Sequence, residues 1–297
     1  MSLARAAVAA AVGLTLAGGA LAQPGPAPGA AESFKVGRVQ VTALQDAGFT
    51  LANDGKVFGL NATPEEVGKV LAAAGAPTDK ISLSVDALMV RTGGRVVLID
   101  TGLGPGAHGA LPESLAKAGV TPEDVTDVLI THAHGDHIGG LVGADGKPAF
   151  PKAKVRMSAN EWAWLQTQPR SKPVVEAISA QVQAFEPGEE ILPGITPVAL
   201  YGHTPGHVGY VIASNGQRLE DIGDTAHSSI VSTAKPEWTV QFDTEKAQGA
   251  ATRRRELARL AAAHERIFAP HFPFPGVGRL EAKGDGFVFR PEAPPAK

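Results

Sequence analysis

The stretch that decides the fold and the chemistry is His132-Ala133-His134-Gly135-Asp136-His137, directly after the apolar run Val128-Leu129-Ile130-Thr131. Four potential metal ligands fall within these six residues. Such groups are too costly to bury without partners, so an ordinary core segment is excluded. Gly135 supplies the permissive backbone that a loop around ions needs. His132 and His134 can point one way and Asp136 and His137 the other, which suits two adjacent metals rather than one.

Three later segments also end apolar runs with side chains that can bind metals. They are Gly202-His203-Thr204-Pro205-Gly206-His207, Gly223-Asp224 and Pro270-His271, and each follows a predicted strand. One histidine after a strand is more often a structural residue than a ligand. The whole set in this order is far more specific, and it predicts a metal centre built from several loops.

The composition of the chain excludes several kinds of catalytic and binding site. The chain has 297 residues, no Cys and nine His. The lack of Cys excludes disulfides, a thiol nucleophile and thiolate zinc sites. The 27 basic and 30 acidic residues give a net charge of −3, which does not indicate nucleic-acid binding. No repeat or linker divides the body, so we expect a single large domain.

The two ends of the chain differ in character from the body. Residues 1–22 predict a secretory signal peptide, with Arg5, an apolar run over 6–17 and the small-x-small site Ala20-Leu21-Ala22. The alternative, a membrane anchor, is disfavoured because the apolar run is shorter than the roughly 20 residues needed to span a bilayer. We expect a flexible leader over 23–33, the domain over 34–290 and a disordered tail over 291–297. The mature protein would be periplasmic or secreted, with no membrane attachment after cleavage.

The body alternates short strands and helices, which predicts an α/β layered fold. A helix should begin at Thr63-Pro64, and Gly93-Gly94 should join two strands as a hairpin. A long helix is expected over 244–264, with Arg253, Arg254, Arg255 and Arg259 mostly facing outward. Further strands are expected over 34–43, 127–131, 155–158, 196–201, 208–213, 218–222 and 267–269.

These motifs, with Leu98-Ile99-Asp100-Thr101-Gly102 upstream, resemble those of the metallo-β-lactamase-fold hydrolases. The resemblance covers residues 34–291. Within the superfamily the C-terminal half looks closest to methyl parathion hydrolase-like and lactonase-type enzymes. Four segments carry that impression: Gly223-Asp224-Thr225-Ala226-His227, Val240-Gln241-Phe242-Asp243, residues 269–276 and Gly284-Asp285-Gly286-Phe287. The resemblance implies an αββα sandwich with a binuclear metal site at the sheet edge.

The resemblance also implies a set of ligands, position by position. One metal would be held by His132, His134 and His207, and the other by Asp136, His137 and His271, with Asp224 bridging both. Asp100 would orient a ligand imidazole. Apart from the resemblance, we interpret His203 as a residue that either contacts a ligand or stabilises the turn. Nitrogen and oxygen ligands with several imidazoles suit two Zn²⁺, although Mn, Fe or Co could occupy the site.

Such a centre would hydrolyse an ester-type bond with a metal-bridging hydroxide as the nucleophile. Asp136 or Asp224 would orient the hydroxide and pass a proton to the leaving group. His227 stands where related quorum-signal lactonases carry Tyr. It could donate the same hydrogen bond to the substrate carbonyl or protonate the leaving alkoxide.

Differences from related enzymes at single positions reduce the number of reactions that the resemblance allows. His134 stands where oxygen-reducing diiron relatives have Glu, which favours hydrolysis. One main class of true β-lactamases lacks a bridging carboxylate such as Asp224, and the other uses a Cys. The sequence thus predicts an exported binuclear zinc hydrolase of lactones or aryl esters, with organophosphate triesters as further substrates. The alternatives are a β-lactamase and a non-catalytic metal-binding protein on the same fold.

Such substrates are small, neutral and often aromatic, so the pocket should be apolar. The predicted wall residues are Trp164, Phe242, Phe272 and Phe274, with Phe49 and Phe58 on a rim loop. Trp162 and Trp164 cannot share one helix face, and we assign Trp164 to the pocket. No nucleic acid is expected as a partner, and the resembling enzymes suggest a homodimer.

Overall fold

The computed structural model describes residues 29–292. The predicted signal peptide, residues 23–28 of the predicted leader and residues 293–297 of the predicted tail lie outside the described residues. Two β-sheets stack face to face, and helices pack on their outer faces. This arrangement confirms the predicted αββα sandwich. None of the helices between residues 29 and 292 has the length and apolar character to cross a membrane.

The first sheet contains seven strands in chain order. β1 to β4 are antiparallel neighbours, whereas β4 to β7 run parallel to one another. The strands are β1 (Ala30–Val36), β2 (Val39–Ala52), β3 (Lys80–Thr92), β4 (Arg95–Ile99), β5 (Asp127–Leu129), β6 (Lys154–Ser158) and β7 (Val182–Phe185). The predicted strand over 34–43 is in fact a hairpin, because Gly37 turns the chain with φ of 58°. The leader prediction is therefore wrong for residues 30–33, which belong to β1.

The second sheet contains six strands in the order β13-β12-β11-β10-β9-β8. They are β8 (Ile195–Ala199), β9 (Val208–Ser214), β10 (Gln217–Asp221), β11 (Arg266–Phe268), β12 (Val277–Lys283) and β13 (Gly286–Pro291). β10 and β11 are parallel, and the other neighbours are antiparallel. The predicted tail begins too early, because Pro291 still pairs with Gly278.

The seven α-helices of the described chain cover the outer faces and the sheet ends. They are α1 (Pro64–Ala73), α2 (Leu111–Lys117), α3 (Gly135–Ile138), α4 (Ala159–Thr167), α5 (Lys172–Ile178), α6 (Val231–Ala234) and α7 (Lys246–Ala262). α1 begins where predicted, because Thr63 and Glu66 cap each other reciprocally. In α7, however, Arg253 is almost completely buried, so its predicted outward orientation is wrong.

Hydrophobic packing follows these layers. Val90, Ile99 and Leu129 of the first sheet pack against Tyr210 and Phe268 of the second. A second cluster lies between the first sheet and helices α2, α4 and α5. A third lies between the second sheet and α7, and a fourth joins the far ends of β2 and β3 to α1 and α6. Burial of this apolar surface fixes both sheets and hence the positions of the loops at their edges.

The edge that matters for chemistry is where several strands end together. β4 and β5 are parallel, as are β10 and β11, so the carboxyl ends within each pair lie side by side. The loops that follow β4, β5, β8, β10 and β11 carry Asp100, His132, His203, Asp224 and His271, respectively. The sheets therefore bring residues from distant parts of the sequence to one place.

Candidate metal centre

The segment after β5 supplies the first ligands. His132 and His134 lie on the loop, and Asp136 and His137 lie in the short helix α3. Thr101 donates from its backbone N and from Oγ1 to the carbonyl of His137, each at 2.8 Å. The loops after β4 and β5 are thereby fixed to each other.

Three histidines and Asp224 converge on one point, and we call them the three-histidine group. Nδ1 of His134 lies 2.8 Å from Nε2 of His203 and 3.1 Å from Nε2 of His132. Nε2 of His203 lies 3.1 Å from Nε2 of His132. Oδ2 of Asp224 completes the group, 3.3 Å from His203 and 3.7 Å from His132.

A second set, which we call the Asp136 group, contains Asp136, His137 and His271. Oδ2 of Asp136 lies 3.8 Å from Nε2 of His137 and 3.5 Å from Nε2 of His271. Asp224 also reaches this group, with Oδ1 at 3.3 Å from His137 and Oδ2 at 3.1 Å from His271. Asp224 therefore lies between the two groups, in the place expected of a bridging ligand.

The structure corrects one predicted ligand. His207 donates from Nδ1 to the carbonyl of Leu200 at 2.8 Å, and its Nε2 accepts from the backbone N of Asp224 at 3.0 Å. Both ring nitrogens thus form hydrogen bonds with the backbone, and His203 lies at the ligand position predicted for His207. A Cβ on Gly223 would lie 2.5 Å from Nε2 of His207, so a glycine is needed there. The role of His207 is to hold the turn that presents Asp224.

His132, His137 and His271 are oriented through their other ring nitrogens, as metal-binding histidines usually are. Asp100 accepts from His137 at 2.8 Å and from the hydroxyl of Thr131 at 2.7 Å. That hydroxyl in turn lies 3.1 Å from Nδ1 of His132. His271 donates to the carbonyl of Ser84 at 2.7 Å. The predicted orienting role of Asp100 agrees with this geometry.

Two buried acids at the centre were not assigned from the sequence. Asp243 accepts from Nδ1 of His203 at 3.0 Å, and the buried guanidinium of Arg253 lies 3.4 Å from its other oxygen. Glu161 accepts three hydrogen bonds from the loops that carry the histidines. Asp243 ends a segment already noted for its resemblance, so that motif could have revealed it. Glu161 lies in an ordinary helical sequence that offers no such signal.

The histidines of the cluster differ in their protonation preferences. Burial lowers the pKa of His132 well below its usual range and that of His134 to about 3. Burial alone would raise the pKa of Asp224, but the charges of His271 and His137 outweigh it and hold the pKa well below the usual range. His132 and His134 therefore favour the neutral form that binds a divalent metal, whereas the pKa values of His137, His203 and His271 are raised.

The distances between donor atoms allow a direct test of fit. Tetrahedral zinc with bonds of about 2.0–2.1 Å to nitrogen requires ligand atoms about 3.3 Å apart. The four atoms of the three-histidine group are spaced 2.8–3.7 Å along the measured pairs. Nε2 of His137 and Oδ1 of Asp224 are buried and have no hydrogen-bond partner. The three-histidine group therefore has the spacing of a divalent-metal site, and the unpaired atoms of His137 and Asp224 are available as further ligands.

Two of the four predicted wall residues lie against the cluster. The Trp164 ring is 6.0 Å from the ring of His134, and the Phe242 ring is 5.3 Å from that of His227. Phe272 does not line the site, because it is completely buried against Phe289 beneath α7. Phe274 packs against the core between the two sheets.

His227 is buried beside the shared carboxylate. Its Nε2 lies 3.1 Å from Oδ2 of Asp224, and its ring stacks on His271 with centroids 5.5 Å apart. Phe58, predicted on the rim, is also buried and lies 6.3 Å from the His227 ring, whereas Phe49 belongs to β2. His227 thus lies between His271 of the Asp136 group and the apolar rings of Phe58 and Phe242.

Comparison with known proteins gives the same picture. The sequence matches the family described as the Metallo-beta-lactamase superfamily over residues 82–271, more than half of the chain. The structure is similar to AidC, a dizinc quorum-quenching lactonase in complex with a product, N-hexanoyl-L-homoserine. The two chains are 27% identical with a TM-score of 0.85, and the match covers 90% of this chain and 98% of that one.

Two further relatives extend the comparison. The hydrolase AbOPH of the beta lactamase superfamily is 26% identical with a TM-score of 0.81, covering 89% of this chain and 98% of that one. Metallo-beta-lactamase domain-containing protein 1 of Mus musculus is 53% identical over 62 residues. That match covers 21% of each chain, so it spans only about a fifth of the curated relative.

Proposed function

The chain belongs to the metallo-beta-lactamase superfamily, and on that premise we propose that it is a dizinc hydrolase that opens lactone rings. It is a metal-dependent hydrolase of this superfamily; the metal identity and the bond cleaved are the proposed parts. The observation that carries the proposal is the position of Asp224, within 3.1–3.7 Å of imidazole nitrogens from both ligand groups. Similarity to a dizinc lactonase along almost its entire length supports the choice of metal and substrate.

The ligand groups define what each residue would hold. The three-histidine group would bind one zinc ion and the Asp136 group the other, with Asp224 shared. Two zinc ions bound there would lower the pKa of a coordinated water and polarise the carbonyl that is attacked. Asp136 is the most exposed carboxylate of the cluster, with 20% of its side chain accessible, so it faces the side from which a substrate enters.

The protein's own side chains would orient the substrate. Trp164 lies beside the three-histidine group, and Phe242 lies beside His227 near the Asp136 group. A neutral lactone placed between these aromatic rings would leave water for an apolar surface, which favours binding. His227 can donate a hydrogen bond to the ring oxygen that becomes the leaving group. These positions suit an uncharged substrate with an apolar substituent.

Aryl esters and organophosphate triesters form the second candidate class, favoured by the two aromatic walls. They undergo attack at a carbonyl or phosphoryl group and need no different arrangement of metals. A planar aromatic leaving group could stack on Trp164 or Phe242.

The test is a side-by-side measurement of kcat/KM, since that ratio measures discrimination between substrates. The panel contains dihydrocoumarin, acyl-homoserine lactones, p-nitrophenyl acetate, methyl paraoxon and nitrocefin. We expect the highest value on a lactone and about two zinc ions per chain by elemental analysis. A highest value on nitrocefin would identify a β-lactamase instead. Fewer than one metal ion per folded chain would favour a non-catalytic protein.

A further inference from the structure

Glu161 is a completely buried carboxylate that is not itself a ligand. Its Oε1 accepts from the backbone N of Ala133 at 2.7 Å. Its Oε2 accepts from the hydroxyl of Thr204 at 2.7 Å and from the backbone N of Gly206 at 2.9 Å. No Lys, Arg or His within residues 29–292 forms an ion pair with it, so these three donors are what stabilises its oxygens.

The three donors belong to the two loops that carry the three-histidine group. Ala133 lies between His132 and His134, and Thr204 follows His203. These loops lie 28 to 45 residues from Glu161 along the chain. One carboxylate therefore ties the peptide between His132 and His134 to the segment that follows His203. Movement of the Ala133 peptide would move both neighbouring imidazoles.

The start of helix α4 makes this contact tight. Ser158 caps the helix by accepting from the backbone N of Glu161 at 3.1 Å, and it donates to the carbonyl of Gly206 at 2.6 Å. A Cβ on Gly206 would lie 2.1 Å from the backbone N of Glu161. The loop therefore rests directly on the helix, and Glu161 is fixed relative to both.

The Asp136 group depends on other contacts. His137 donates to Asp100, and His271 donates to the carbonyl of Ser84, so both are oriented by residues of the first sheet or its edge. The hydrogen bonds of the Glu161 carboxylate go only to Ala133, Thr204 and Gly206. Glu161 thus supports only the three-histidine group, whereas Asp100 reaches His137 directly and His132 through Thr131.

From this geometry we propose that Glu161 is a positioning residue that holds the two histidine loops in register. It thereby sets the zinc affinity of the three-histidine group and leaves that of the Asp136 group unchanged. The inference rests on the proposed function in taking zinc as the ligand, but it concerns metal binding and not the choice of substrate.

The substitution Glu161→Gln tests the proposal with almost no change of shape. An amide has a single acceptor oxygen, whereas backbone N–H groups approach Glu161 from both sides. At least one loop must then lose its acceptor. The matched control is Glu176→Gln in helix α5, which makes the same charge change at an exposed position.

The zinc dissociation constant is measured by titrating full-length protein from which a chelator has removed the metal. Glu161→Gln is combined with each of two further substitutions, which serve as backgrounds. His271→Ala disables the Asp136 group, and His134→Ala disables the three-histidine group. In the His271→Ala background, Glu161→Gln should weaken zinc binding about 10–100-fold, the usual effect of losing a residue that orients ligands. In the His134→Ala background the dissociation constant should change less than about twofold, as it should for Glu176→Gln in both backgrounds.

Equal losses in both backgrounds would show a general structural defect and overturn the proposal, as would no loss in either. If Glu161→Gln does not fold by circular dichroism, Thr204→Val removes one of the three hydrogen bonds and is judged by the same selectivity. If the wild-type protein hydrolyses lactones but Glu161→Gln does not weaken zinc binding selectively at the three-histidine group, this inference alone is refuted. Selective zinc loss without lactone hydrolysis would refute the proposed substrate alone.

Discussion

The three-histidine group and the Asp136 group differ in what holds them. His132, His134 and His203 lie on two loops that the buried Glu161 joins, and the buried Asp243 orients His203. His137 and His271, in contrast, donate to Asp100 at the end of β4 and to the carbonyl of Ser84 in β3. One group is thus assembled from loops and the other rests directly on the first sheet.

This difference indicates that the ligands of the Asp136 group are held rigidly, whereas those of the three-histidine group can shift. A strand in the middle of a packed sheet cannot shift without disrupting the core. Loops held by side-chain hydrogen bonds can shift when a single bond is lost. Substitutions behind the three-histidine group should therefore alter metal binding with little effect on the fold. Substitutions behind the Asp136 group should affect both.

The largest effect is expected at Asp224, the residue that belongs to both groups. Asp224→Ala removes a carboxylate within 3.1–3.7 Å of imidazole nitrogens on each side. The loss in kcat/KM on the preferred substrate should exceed about 100-fold, the upper range for residues that only orient ligands. Elemental analysis should show fewer than two zinc ions per chain.

Asp285→Ala, at an exposed position in the turn between β12 and β13, is the control and should retain wild-type values. Wild-type activity and full metal content in the Asp224→Ala variant would show that the two groups work independently, contrary to the shared position of this carboxylate.

The carboxylates behind the histidines should give intermediate effects that separate the groups. Asp243→Asn should weaken zinc binding about 10–100-fold at the three-histidine group, since Asp243 contacts His203 and Arg253 there. Asp100→Asn should weaken both groups by a similar factor, because Asp100 reaches His137 directly and His132 through Thr131. Zinc titration of each variant in the single-group backgrounds checks this. An Asp243→Asn effect confined to the Asp136 group would contradict it.

Protons should compete with zinc, and more strongly at the Asp136 group. Burial would lower the pKa of His137 and of His271, but Asp224 raises both. In the three-histidine group only His203 is raised, to about 9, because its hydrogen bonds to Asp224 and Asp243 outweigh burial. A raised pKa means that the metal-free fold retains a proton that zinc must displace, so zinc affinity falls as pH falls through that pKa.

Each displaced proton steepens the fall by about tenfold per pH unit. Zinc should therefore release more protons on binding the Asp136 group, where the pKa values of His137 and His271 are both raised, than on binding the three-histidine group, where only that of His203 is raised. Calorimetry of the single-group variants in buffers with different ionisation enthalpies counts these protons. Equal counts for the two groups would contradict the assignment.

The sequence was sufficient for the fold and for most of the centre, because ligand types at strand ends are a local pattern. The strand before His132 and the hairpin through Gly93-Gly94 follow from hydrophobic periodicity and turn chemistry. The ligands are brought together by parallel strands whose carboxyl ends share an edge. Periodicity also placed α7, observed over Lys246–Ala262 within the predicted 244–264.

The choice between His203 and His207 could not be made from the sequence. Both histidines lie in one motif after β8, and which ring faces the cluster depends on the turn at Gly202, with φ of 126°. The predicted outward orientation of Arg253 is wrong for a similar reason. Arg253 lies in a run of arginines, a pattern typical of a solvent-exposed helix face. Its burial depends on Asp243 and on carbonyl groups from the segment before α7. Long-range pairing of this kind leaves no periodic signal.

The smallest effects are expected at the two aromatic walls, and they should again divide between the groups. Trp164 lies by His134 and Phe242 by His227, and both are half-buried. Truncation of a half-buried ring removes apolar contact with the substrate but leaves the ligands in place. Trp164→Ala and Phe242→Ala should each lower kcat/KM about 3–10-fold, mostly through KM, while zinc content stays unchanged.

The two walls can be distinguished by varying the substrate. A lactone series with increasing acyl length and an aryl ester series should show which wall contacts the acyl group and which contacts the leaving group. Phe272→Leu is the control, because Phe272 packs beneath α7 and should affect stability alone. If Trp164→Ala and Phe242→Ala changed every substrate by the same factor, both rings would act on the shared reaction centre. The substrate would then not lie between the two walls, and the apolar pocket would have to be sought on another side of Asp136.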